Sequence, residues 1–112
     1  MNLRDQVLTN LHQNYHGLYT LFFPDRVSQA LFVPTKTVIN IFESLVSEGL
    51  LSKDYLIFDY GGQKVLSSDE AEEALQTNIL YHPETGAEIL NARKRIHVSY
   101  MSTALFDEVF DG

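Results

Sequence analysis

Leu3, Val7, Leu8, Leu11 and Tyr15 recur at the spacing of one helical face, which predicts an opening helix that Gly17 stops. Tyr19-Thr20-Leu21-Phe22-Phe23 is rich in β-formers and runs into Pro24, so it reads as a short extended connector or small strand. Asp25 is then the expected N-cap of a short helix carrying Val27, Ala30 and Leu31. A tight Phe32-Val33-Pro34 turn follows. The next helix places Val38, Ile41, Phe42, Leu45 and Val46 inward and ends at Glu48-Gly49. Tyr55–Tyr60 and Gln63–Leu66 flank Gly61-Gly62, a pair able to take the positive φ angles of a two-residue hairpin turn.

Beyond residue 66, Ser67 followed by Glu70 has the spacing of a capping box, opening a short acidic helix through Leu75. Ile79–His82 and Ala87–Leu90 flank Pro83-Glu84-Thr85-Gly86, a turn sequence that predicts a second hairpin. Ile96–Tyr100 reads as a strand. A closing helix follows, with Leu105, Phe106, Val109 and Phe110 as one apolar face, a candidate surface for self-association. The whole is expected to be one α+β domain over 1–112, with a core in 1–66 and a helix, hairpin and closing helix in 67–112.

Two helices joined by three or four residues form the helix-turn-helix unit. The stretch from Val33-Pro34-Thr35-Lys36-Thr37-Val38 to Leu45-Val46-Ser47-Glu48-Gly49-Leu50-Leu51 resembles the recognition-helix end of bacterial winged helix-turn-helix regulators, over roughly residues 25–66. The resemblance implies a winged helix-turn-helix with a C-terminal hairpin-and-helix extension, the 55–66 hairpin being the wing. Phe58–Gly62 and His82–Gly86 also resemble the turns of a zinc ribbon from which every cysteine has gone. Asp59 and His82 are the only ligand-type residues left at the replaced positions, too few for a structural zinc site, so no metal is expected.

Composition narrows the function classes. Hydrophobic residues make up 45% of 112, enough for a packed core, and no run nears the ~20 apolar residues of a membrane span. With no signal peptide legible at Met1–Gln6 and no cysteine, the chain is expected in the cytoplasm without a membrane partner. No phosphate loop, nucleophile elbow or dinucleotide fingerprint is present, so the chain is expected to be a non-enzyme with neither cofactor nor small-molecule substrate. The formal net charge is −7, and the excess acid lies almost wholly beyond residue 66.

That charge sets the ranking of partners. Thr35, Lys36, Thr37 and Asn40 form the candidate recognition face, with Lys53 and Lys64 as candidate wing contacts to a DNA backbone. Lys36 is the only cation on that helix, which limits counterion release, and Thr35 serves equally as a helix cap. Arg93, Lys94 and Arg95 form the one basic patch, expected to pair with the nearby acids Glu70, Glu72 and Glu73. His12 and His16 stand at i, i+4 without a Glu between them, so they read as surface or helix-end groups. Thirteen Phe and Tyr are more than one core obviously needs, and a surplus marks a partner surface. A protein-interaction module binding another protein or its own copy therefore ranks first. A sequence-specific binder of double-stranded DNA comes second, and a DNA mimic built on the acidic half last.

Overall fold

A computed structural model of the chain describes residues 2–59, 62–82 and 85–110. It is mixed helix and sheet, and its contacts divide it into two compact units, Met1–Lys53 with Tyr100–Gly112, and Asp54–Ser99. Each has its own apolar cluster. The units therefore do not follow a division at residue 66. The first is discontinuous in sequence, and the closing helix belongs to it.

In the first unit, α1 (Leu3–Gln13) begins where the Asn2 side chain accepts from the Asp5 N–H, and buries Val7 and Leu11. The helix stops before His16, so His12 and His16 do not share one helical face. Strand β1 (Leu21–Phe22) leads into α2 (Pro24–Leu31). The N-cap there is Phe23 and not Asp25, because Pro24 occupies the first helical position, where its fixed φ fits and its missing N–H is not needed. Asp25 lies in the first turn, where a carboxylate favours the helix dipole. Phe32 ends α2 in the left-handed region at φ 56°. Then α3 (Thr35–Ser47) buries Val38, Phe42 and Leu45. Its N-cap is Pro34, and the Thr35 hydroxyl instead donates to Ser28 Oγ at 3.0 Å.

Strand β2 (Leu51–Asp59) pairs antiparallel with β3 (Gly62–Leu66) from Tyr55↔Leu66 to Asp59↔Gly62. Gly62, at φ 102°, is thus already a paired strand position and not half of the turn; residues 60 and 61 lie outside the described residues. The sheet order is β1-β6-β2-β3, where β6 is Ile96–Ser102. Leu21↔Met101 and Phe22↔Tyr100 set the β1–β6 register. Thr103 accepts from the Phe106 N–H at the start of α6 (Ala104–Phe110) and donates to the Gly49 carbonyl at 2.7 Å.

The second unit opens α4 (Ser68–Thr77) with Ser67, whose oxygen accepts from the Glu70 N–H while its hydroxyl donates to Glu70 Oε1. Ala71 and Ala74 bury one side of α4 against Ile57, Leu66 and Ile96. Strands β4 (Ile79–Tyr81) and β5 (Glu88–Leu90) form a separate two-stranded sheet, with Pro83 and Glu84 of its turn outside the described residues. The turn is closed by Gly86 N–H on the His82 carbonyl at 2.9 Å and by Thr85 N–H on His82 Nδ1 at 3.3 Å. One helical turn, α5 (Ala92–Arg95), precedes β6.

Candidate functional site

On the outer face of α3, Lys36 and Asn40 are exposed, whereas Thr35 and Thr37 are half-buried. Lys53 does not extend toward a ligand, since its ammonium pairs with Glu43 on α3 and its side chain is only 20% exposed. Tyr100 shares that carboxylate, donating to Glu43 Oε1 at 3.2 Å. Arg4 forms a two-bond pair with Glu48, the C-cap of α3, at 2.9 and 3.0 Å. Lys64 is half-buried in the second unit. The first unit contains four Lys and Arg against seven Asp and Glu, so its cations are outnumbered even before these pairings.

The basic triplet divides. Arg93 donates from Nε to the Leu75 carbonyl at 2.6 Å and from a terminal nitrogen to the Gln76 carbonyl at 3.0 Å. It therefore closes the C-terminal end of α4, where free carbonyls and the helix dipole attract a cation, and does not pair with Glu70, Glu72 or Glu73 as expected. Lys94 and Arg95 are exposed.

The apolar face of α6 divides as well. Phe106 is fully buried, with Tyr15, Phe22 and Phe110 ring centroids at 5.1, 5.6 and 4.6 Å, so it cannot serve a self-association surface. Phe110 is half-buried and lies against His12. Leu105 and Val109 alone of the four are exposed, because on a seven-residue helix flanked by a core only the inward edge of the stripe can be covered.

The surplus of aromatic side chains has a definite location. Tyr19 is 71% and Phe32 95% exposed, and both hold positive φ, 64° and 56°. For a bulky side chain that conformation is an outlier, since Cβ crowds the following carbonyl. Asn78 and Asn91, the other non-glycine residues at positive φ among the described residues, are of a type that tolerates it. Neither the Tyr19 nor the Phe32 ring touches another described ring; the Phe32 backbone closes α2, its N–H and that of Val33 both donating to the Ser28 carbonyl, but that role needs no aromatic side chain. No sequence signal locates these two, because the turn positions carry aromatic residues where glycine or asparagine would announce the backbone.

Near Tyr19, the end of α1, the strand β1 and one side of α2 enclose a cleft of about 260 Å³. Leu11, Phe22 and Val27 are its buried apolar wall. Asn10, Asn14, His16 and Arg26 give it a polar rim. The Arg26 guanidinium lies 4.5 Å from the Phe23 ring centroid, and among the described residues no carboxylate is within ion-pair distance of it. No group of three His, Cys, Asp or Glu gathers among the described residues, and no described helix is long and apolar enough to cross a membrane.

Comparison of the chain with known protein families, with curated proteins and with solved structures finds no match.

Proposed function

We propose that the chain is a non-enzymatic protein-interaction module built on a winged-helix frame. The order α1, β1, α2, α3, β2, with β6 between β1 and β2 in the sheet, supports that frame. The third strand of the winged helix is then β6, and residues 60–95 occupy the sequence between β2 and β6 where a short wing would otherwise stand. The observation that carries the function is the pair Tyr19 and Phe32, two solvent-exposed aromatic rings on left-handed backbone. Exposed side chains on costly backbone conformations cluster at binding surfaces, and in protein interfaces a few residues, aromatic ones prominent among them, carry most of the energy.

The rival reading, a reader of double-stranded DNA, is favoured by the polar, uncovered outer face of α3 at Lys36 and Asn40. It is opposed by the engagement of Lys53 and Arg4 with acids of the same unit, since phosphate binding requires cations that can release counterions. Fluorescence anisotropy with mixed-sequence duplex DNA at about 50 mM and about 200 mM salt separates the two. No binding at the lower salt is the expected result. Micromolar binding that weakens steeply at the higher salt, and weakens further in Lys36→Ala, would overturn the protein-interaction reading.

A further inference from the structure

We infer that the cleft beside β1 binds an extended, carboxylate-bearing segment of a partner protein by adding a strand to the open edge of the sheet. The inference rests on the protein-interaction reading and specifies its partner. Three independent features of one small region converge on it.

The first is backbone geometry. Strand β1 is the terminal strand in the order β1-β6-β2-β3, so among the described residues one of its edges has no neighbouring strand. The Ser102 N–H donates to the Thr20 carbonyl at 2.9 Å, while the Thr20 N–H donates to the Ser102 hydroxyl at 2.9 Å, so Thr20 and Ser102 face each other through hydrogen bonds one position before the Leu21↔Met101 pair. Such pairs alternate with pairs whose N–H and C=O groups point away from each other. Leu21↔Met101 is the next pair, so the N–H and C=O of Leu21 face the open edge. Leu21 is 50% exposed, and no bond outside the ladder engages its backbone among the described residues. An incoming strand satisfies both groups at once.

The second feature is shape. Leu21, Phe22 and Phe23, the residues that present this edge, also line the cleft. A strand laid along β1 projects alternate side chains to one face, and a cleft of about 260 Å³ with apolar walls at Leu11, Val27 and Ala30 has room for one aliphatic side chain.

The third feature is charge. Arg26 stands at the rim of the cleft with its face on the Phe23 ring and no carboxylate partner among the described residues, while the other described arginine of this unit, Arg4, holds a carboxylate in a two-bond pair. A guanidinium already fixed by a ring has lost little further freedom when it meets a carboxylate, and the planar fork suits it. The rim also carries Asn10, Asn14 and His16 and, among the described residues, no acidic one. In a chain of net charge −7, a cleft without acid selects an acidic segment over a basic one.

The test is a titration of the full, ¹⁵N-labelled chain, followed by amide chemical shifts, with three blocked hexapeptides. These are alternating (Val-Glu)3, alternating (Val-Lys)3, and (Val-Glu)3 N-methylated at its two central amides. The expected result is saturable shifts at Leu21, Phe23 and Ala30 with (Val-Glu)3, and binding weaker by about tenfold or more for the lysine peptide and for the N-methylated peptide. Arg26→Glu is expected to invert the preference between the glutamate and lysine peptides. Equal binding of all three would show apolar contact without strand addition and overturn the inference, as would the absence of shifts up to about 2 mM peptide. A chain that ignores both (Val-Glu)3 and duplex DNA loses this cleft as a site but keeps the protein-interaction reading, whereas one that ignores (Val-Glu)3 and binds duplex DNA with the steep salt dependence and Lys36→Ala sensitivity given above loses both.

Discussion

Truncating Phe106 tests the assignment of α6 to the core of the first unit. The ring is fully buried and lies against three other aromatic rings, Tyr15, Phe22 and Phe110. Removing it forfeits about 1.5–3 kcal/mol of side-chain burial, and the incompletely collapsed cavity raises the total to about 3–5 kcal/mol. Against a domain stability of about 5–15 kcal/mol, Phe106→Ala removes at least about a fifth. Val109→Ala, at a side chain that is 57% exposed, changes stability by about 0.5 kcal/mol or less. Urea titration read from the amide peaks of Leu45 and Val38 reports the first unit by itself, which avoids assuming that both units unfold together. A Phe106→Ala loss below about 1 kcal/mol, or a Val109→Ala loss equal to it, would refute the packing argument.

Two further substitutions probe local features. Arg93→Ala is expected to lower stability by about 1 kcal/mol, since the two carbonyl bonds are charge-assisted but lie on an exposed side chain; hydrogen exchange at the last turn of α4 should quicken, and Arg93→Lys should restore only part of the protection. Phe32→Gly relieves about 1–2 kcal/mol of left-handed strain and gives back about 0.5–1 in unfolded-chain entropy, so the variant should be more stable by about 0.5–1 kcal/mol in thermal unfolding. A destabilised Phe32→Gly would mean that the ring contributes to the fold, which would weaken the case for it as a binding element.

The helices and hairpins were legible because their signals are local. Leu3 to Leu11 and Val38 to Leu45 repeat at helical spacing, and Ser67 and Glu70 meet as their separation predicts. Misplacements arose where two local rules competed, as at Pro24 and Asp25, where proline's suitability for the first helical position outweighed the carboxylate's capacity to cap. The α6 stripe showed which residues are apolar but not which edge of the stripe meets Phe22 and Tyr15, far away in sequence. The pairing of Phe22 with Tyr100 and the reach of Arg93 to Leu75 are also non-local, and no periodicity encodes them. The candidate cleft was the least legible, for it depends on a strand edge and on an arginine that meets no carboxylate among the described residues. Neither is a property of the residue types themselves.

The discontinuity of the first unit has a bearing on how the chain acquires its structure during synthesis. Helices α1 to α3 are made early, but Tyr100 and Phe106, both buried among Phe42 and Phe22, arrive only after all of Asp54–Ser99. Translation proceeds at about 5–20 residues per second, so for several seconds the early helices present an apolar surface with nothing of their own to cover it. Asp54–Ser99 has its complete complement of core residues before then and is free to collapse first. Doing so shortens the effective loop that must close before β6 can join β1, although closure entropy grows only slowly with length. The half of the chain synthesised first is therefore the half that finishes folding last, and a ribosome stall between Ser99 and Phe106 would strand it as an aggregation-prone intermediate.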